Sequence, residues 1–301
     1  MIRYQRTLSS SISCEGIGLH SGKPVRMTLR PAPIGTGIVF IRTDLENAEV
    51  RAVAANTATT GYATTLSQNG VTIQTVEHLL AAFAGLNIDN VHVEIDSDEV
   101  PIMDGSARPL AKIIIEAGIE NQKALQPVIK IIKPVFVREG TKQLAIWPAE
   151  TASVTCFIDF NHPLLQDQSL SYQPSEEAFL REVSGARTFG FLSDVKTLQA
   201  NGLAKGASLE NAIALDEESV VNEEGLRYKD EFVRHKILDI IGDMFLAGMP
   251  IIGHIVAHKS GHALNAQMVS KLLNSTQNWI TVGSFEHREV EAAPQFQHAA
   301  L

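Results

Sequence analysis

The sequence predicts an α+β protein made of two successive blocks of similar build, each running from strands to helices. Three observations carry this. Residues 24–30 (PVRMTLR) and 91–95 (VHVEI) alternate apolar and polar positions, as half-buried strands do. Residues 75–86 (TVEHLLAAFAGL) and 232–248 (FVRHKILDIIGDMFLAG) carry the helical period. Between them, 121–127 (NQKALQP) is largely polar and ends in proline, which marks a domain boundary; after it the strand-then-helix order restarts. The 301 residues suit two domains of ordinary size, expected over 1–122 and 128–290, with 291–301 as a loose tail.

Taken in order, 37–42 (GIVFIR) is a continuous apolar run rich in strand formers and reads as a strand buried on both faces. In the 75–86 helix, Thr75 is the expected N-cap and Gly85 the stop. The strand at 91–95 points Val91, Val93 and Ile95 one way, and ends before Pro101. A helix over 107–117 closes at Gly118. In the second block, 128–140 and 142–160 supply strands, 176–185 (EEAFLREVSG) a helix, 232–248 a strong helix, 251–261 a strand and 263–273 a last helix. Residues 193–224, rich in Gly, Asn and charge, read as an insertion.

Hydrophobic content of 45% and charged content of 20% permit a sizeable core and exclude global disorder. The net charge of -9 argues against a nucleic-acid binder while leaving room for a local basic pocket. Cys14 and Cys156 stand far apart, so neither a disulfide scaffold nor a cysteine-rich zinc module is expected, and a reducing compartment fits. The N-terminus has no apolar core of signal-peptide length, and the most apolar stretch, 237–257, is broken by Asp239, Asp243 and His254. The expectation is a soluble, cytoplasmic monomer without stable membrane insertion.

The chemistry is concentrated on two helices. His235, Asp239 and Asp243 follow one another at steps of four, so they drift only about 40° apart per step and form one stripe. On an arbitrary helix such a stripe is more often a solvated face with a His–Asp pair. Here Phe232, Val233, Ile237, Ile240, Ile241, Met244 and Phe245 cover much of the remaining surface, and a carboxylate stripe amid them needs water or a metal. Imidazole and carboxylate at i and i+4 suit zinc and equally Fe(II). A catalytic site needs a third ligand. The best candidate is His78, on the first block's helix, with Glu77 beside it free to act as base. A metal shared by the two helices would lie in the cleft between the blocks. His262 and His20 sit near turns where side chains project into sites; His254 and His258 share a strand face and could mimic ligands. Asp104, in a tight turn, reads as a second-layer residue or a turn cap.

These segments together resemble one family. GIGLHSGK (16–23), TVEHLLAAFAGLNIDN (75–90), PIMDGSARP (101–109), IDFNHP (158–163), ARTFGF (186–191), FVRHKILDIIGD (232–243) and KSGHALN (259–265) are similar to UDP-3-O-acyl-N-acetylglucosamine deacetylases. These are the zinc amidases that commit Gram-negative bacteria to lipid A synthesis. The resemblance runs from about residue 5 to about 271, and the 57–65 and 193–224 segments align least clearly. It implies two βααβ-type domains, sheets outward and helices between, with a zinc site at their interface. It places zinc ligands at His78, His235 and Asp239, the general base at Glu77, and a cationic general acid at His262 held in orientation by Asp243. It places a hydroxyl near the oxyanion at Thr188, a phosphate contact at Lys236 and a uracil stack at Phe160, and the inserted segment would wall an acyl passage. His20 is a further substrate contact. The implied substrate is an acylated UDP-amino sugar.

Two other readings compete. A mononuclear Fe(II) oxygenase uses two His and one carboxylate, but on a frame built almost wholly of strands. A nucleotide-sugar-binding module would have no use for Glu77, His262 and Asp243 together. Glu77→Ala separates a binder, which is indifferent to it, from a hydrolase, which loses most turnover.

Overall fold

The computed structural model describes residues 3–283. The first half runs β1 (Tyr4–Leu8), β2 (Ile12–Ile17), β3 (Pro24–Pro31), β4 (Ile38–Arg42) and β5 (Ala48–Arg51). A small meander follows, of β6 (Thr57–Thr59), β7 (Thr65–Gln68) and β8 (Val71–Ile73). Then come α1 (Glu77–Gly85), β9 (Val91–Ile95), α2 (Arg108–Ala117) and β10 (Ile119–Leu125). Five of the strands form a sheet in the order β2-β3-β9-β4-β5. The last of them to be made, β9, slots into the centre, antiparallel to β3 and parallel to β4. The alternation read in β3 and β9 buries Val25, Met27, Leu29, Val91, Val93 and Ile95, and β4 is buried on both faces at Ile38, Val39 and Phe40.

The second half runs β11 (Val128–Ile131), β12 (Val135–Glu139), β13 (Lys142–Trp147), β14 (Ser153–Ile158) and β15 (Gln168–Tyr172). A short α3 (Glu176–Ala178) continues as a π-helical turn over Phe179–Val183. Then follow β16 (Phe189–Phe191), α4 (Leu192–Ala200), β17 (Ile213–Leu215), α5 (Glu231–Phe245), β18 (Ile251–Ile252), β19 (His254–His258), α6 (His262–Asn274) and β20 (Trp279–Val282). The main sheet has the order β12-β13-β19-β14-β15, with β19 antiparallel to β13 and parallel to β14. This is the strand order and pairing sense of the first sheet. In both halves two antiparallel pairs come first along the chain, and a strand that follows a helix lies between them. The hydrogen-bond pattern reveals a repeat that residue identity is too weak to show. Helix α1 packs on α2 and α5, and α5 on α6, β14 and β15. The apolar residues of both halves form one continuous core.

Several expectations need correction. Within the stretch read as a domain boundary, β10 runs to Leu125 and pairs antiparallel with β1. Its polar character follows from its mostly half-buried to exposed side chains. Thr75 does not cap α1. Its backbone is left-handed (φ 57), its hydroxyl donates to Glu99, and Val76 holds the cap position without a side-chain bond. The 251–261 segment is two strands split at Gly253, β18 pairing with β11 and β19 entering the main sheet. The 193–224 insertion is partly ordered as α4 and β17. The expected 291–301 tail, like His287 and His298, lies outside the described residues.

Candidate metal centre and its surroundings

The polar stripe of α5 is not a solvated face. His235, Asp239 and Asp243 are each 2% exposed. They are covered by the first turn of α1, which α5 meets at Gly242. A Cβ there would lie 2.8 Å from the carbonyl carbon of Glu77 and 3.0 Å from its Cα. Carbon atoms prefer about 3.5–4.0 Å, so only glycine admits this approach. The contact sets Glu77 and His78, both buried, against the stripe.

His235 Nε2 lies 3.4 Å and His78 Nε2 3.8 Å from Asp239 Oδ1, and the two imidazoles meet edge to face with centroids 5.0 Å apart. One donor atom from each of His78, His235 and Asp239 lies within 4.8 Å of the others. The Nδ1–H of His235 donates to the Ala186 carbonyl at 3.0 Å, leaving Nε2 as its free nitrogen. Asp239 Oδ1 is buried without a hydrogen-bond partner. A buried anionic oxygen facing two imidazoles calls for a cation. Burial pushes His78 down to about 3 and lowers His235 as well, so both are neutral with lone pairs available. Burial works against ionisation of Asp239; a proton on His235 would favour it most, and with that imidazole neutral the Lys236 and His262 charges hold the carboxyl below its usual range. Two neutral imidazoles and a carboxylate are a donor set that fits a zinc or ferrous ion.

A second group of side chains flanks the triad. His262, the first residue of α6, donates through Nδ1–H to Asp243 Oδ2 at 2.9 Å, and its Nε2 lies 3.9 Å from Glu77 Oε1. Burial opposes the His262 charge, but Asp243 and Glu77 overcome it and raise the imidazole to about 10. Burial raises Glu77 to about 7, with Asp243 and Asp239 adding to it and His262 opposing. A carboxyl poised near neutrality beside a durable imidazolium makes a base and an acid available at one pH.

Of the other expected residues, Lys236 places its ammonium 2.8 Å from Asp239 Oδ2 and over the Phe189 ring. Phe160 meets Phe189 edge on, and Phe189 meets His235, so an aromatic chain joins Phe160 to the triad. A cavity of about 610 Å³ beside Phe160 is lined by His162, Phe191, Leu192, Ser193, Asp216 and others. His20 is buried, accepts the Ala204 N–H on Nδ1, and leaves Nε2 without a partner. Its pKa is lowered by burial first, against the Glu99 charge, and by the His262 charge as well. Thr188 is half-buried and bracketed by backbone bonds to Gly105 and Ile213, with no hydrogen bond to the triad. His254 bonds Thr155 and His258 the Thr141 carbonyl, so neither joins the cluster. Asp104 caps its own turn through Ser106 and pairs with Arg227.

Sequence reasoning missed four participants. Thr64 and Asn265 both donate to Asp243. Glu99 accepts from the His20 and Ser21 N–H groups and from Thr75. Glu231 accepts from the backbone N–H of Arg187 and of Arg227, and from the Arg187 guanidinium, so it ties both stems of the insertion to α5. Glu99 and Glu231 lie just before quoted motifs and Asn265 ends one, which was the signal available for them; Thr64 had none.

Fold and site together define an α+β protein of the metalloenzyme class, with a buried His–His–Asp cluster that could hold a metal ion, assembled from one helix of each half and flanked by Glu77 and His262. The chain belongs to the LpxC family of UDP-3-O-acyl N-acetylglycosamine deacetylases, whose family model matches residues 5–274. It is 52% identical over 288 residues to a UDP-3-O-acyl-N-acetylglucosamine deacetylase of Myxococcus xanthus, covering 95% of this chain and 91% of that protein. It is 50% identical to that of Pseudomonas entomophila over 94% of each chain, and 47% identical to that of Syntrophus aciditrophicus over 92% of this chain and 89% of the relative. Among the described residues, no helix is long and apolar enough to cross a membrane.

Proposed function

We propose that the protein removes the N-acetyl group of a UDP-3-O-(3-hydroxyacyl)-N-acetylglucosamine by zinc-dependent hydrolysis, giving acetate and the free amine, the committed step of lipid A synthesis. The observation that carries this is the pairing of the buried His78–His235–Asp239 triad with Glu77 and the His262–Asp243 dyad, in a member of the deacetylase family. His78, His235 and Asp239 hold the ion; Fe(II) suits the same donors. Zinc, when bound, supplies polarisation of the acetyl carbonyl and a water whose pKa is lowered from ~15.7 toward ~7. Glu77 takes the proton of the attacking water as its oxygen bonds the acetyl carbon. Thr188 and His262 steady the developing oxyanion. His262 then gives its Nε2 proton to the amine nitrogen as the C–N bond breaks, and Asp243 keeps the ring aimed. Lys236 offers its charge to the diphosphate, Phe160 its ring to uracil and His20 its free Nε2 to the sugar.

The matching sheets and the α1–α5 contact support two domains, 1–122 and 128–290, with helices between outward sheets and the metal at their interface. Phe191 and Leu192, just before the inserted segment, and Ser193 at its start suit the wall of an acyl passage. A monomer in the cytoplasm fits this role. The test is acetate release from the acylated UDP-N-acetylglucosamine, before and after chelation and zinc return. Loss and recovery of turnover support the reading. No release from folded, zinc-loaded protein sinks it.

A further inference from the structure

We infer that Thr64 is a positioning residue that fixes both ends of the proton-transfer apparatus, the base and the group that orients the acid. Thr64 lies between β6 and β7, 1% exposed, in the stretch with the weakest motif content of the first half. Its N–H donates to Glu77 Oε2 at 3.0 Å. Its hydroxyl donates to Asp243 Oδ1 at 2.6 Å and lies 3.3 Å from His262 Nδ1. Its carbonyl accepts from Val76 N–H, one residue before Glu77. No other described residue bonds both the α1 carboxylate and the α5 carboxylate.

Each bond has a consequence for geometry. With Oε2 of Glu77 engaged by Thr64, Oε1 is the oxygen that faces His262 Nε2. The base therefore presents one defined atom. Asp243 receives His262 and Asn265 on the same oxygen, Oδ2. A carboxylate held on one oxygen can swivel, because the terminal torsion of Asp is broad. The Thr64 hydroxyl on Oδ1 anchors the opposite side and stops the swivel, so the His262 ring keeps its aim. A loop residue that only closed the fold would need none of these partners to be the proton-handling groups.

The kinetic arm of the test rests on the deacetylase reading; the spectroscopic arm does not. Thr64→Val and Thr64→Ala remove the hydroxyl, the first keeping shape and the second avoiding a methyl against the carboxylate, while Thr64→Ser restores it. In zinc-loaded protein, Val and Ala lower kcat by about tenfold or more with KM within about twofold, and Ser stays within about threefold of the parent. On an Asp243→Asn background, Thr64→Val adds no more than about twofold, because both act through one bond. The hydrogen-bonded Nδ1 proton of His262, read by NMR, shifts or broadens in Val and Ala and is retained in Ser. Parent-like kcat in Val and Ala, a Ser variant as slow as Val, multiplicative loss with Asp243→Asn, or an unmoved Nδ1 proton each overturns the assignment. If the parent releases no acetate, the deacetylase reading fails, and the Nδ1 resonance still decides the role of Thr64.

Discussion

Gly242→Ala adds one methyl at the point where the two central helices meet. The new Cβ would stand 2.8 Å from the Glu77 carbonyl carbon, against a comfortable separation of about 3.5–4.0 Å. Its closest neighbour is the Glu77 carbonyl oxygen, nearer still than the carbon; both partners are helix backbone, so neither side chain can swing away, and α1 must retreat by roughly 1 Å or more. That retreat carries Glu77 and His78 away from His235, Asp239 and His262 together. A displacement of ~1 Å of a reacting group costs ~100-fold in rate, or ~2.7 kcal/mol in the barrier. The expected result is a kcat lower by about two orders of magnitude and weaker zinc retention. A helix-interior alanine is otherwise favoured over glycine by ~1 kcal/mol, so gross unfolding is not the expected cause. The assay is acetate release at saturating substrate, with zinc content measured on the same samples. Activity within about threefold of the parent, with full zinc, refutes the claim that this contact sets the site.

Three further outcomes follow from the charges. Glu77, raised to about 7, must lose its proton to act as base, and His262, raised to about 10, must keep its own to act as acid. Activity therefore rises with pH through the first and falls through the second; a bound cation lowers both limbs while keeping their order. Asp243→Asn removes the leading charge that favours imidazolium, so the upper limb moves to lower pH; a limb that stays put refutes the assignment of His262. Glu231→Ala leaves the buried Arg187 guanidinium with only Glu224 and the Gly225 carbonyl as partners, and frees both stems of the insertion from α5. The cost is roughly 2–3 kcal/mol and a Tm lower by about 5 °C, read by thermal melting; a change under about 2 °C refutes the tie.

What the sequence disclosed was local chemistry. A step of four residues on one helix brings His235, Asp239 and Asp243 together whatever surrounds them, and His78 stands out on a helix of Leu, Ala and Phe. What it concealed was set by distant partners. Thr64 bonds a carboxylate 179 residues away, and no spacing rule spans that. Gly242 reads as an ordinary weak spot in a helix until α1 is laid against it. Residues 121–125 look like a linker because most of their side chains are half-buried or exposed, and only the pairing with β1 makes them a strand. Thr75 has cap chemistry, yet its hydroxyl is claimed by Glu99, so the helix starts one residue later than a cap would place it.

The repeated strand order has a sequel at the helix starts. Glu77 opens α1 and Glu231 opens α5, so the two glutamates occupy equivalent stations in the two copies, and both are buried. In one copy the carboxylate accepts from the Thr64 N–H on one oxygen and turns the other toward His262. In the other an arginine and two backbone N–H groups saturate it. Symmetry is broken by what each glutamate meets, and a frame built twice leaves only one of the two carboxylates with an oxygen open to its neighbours.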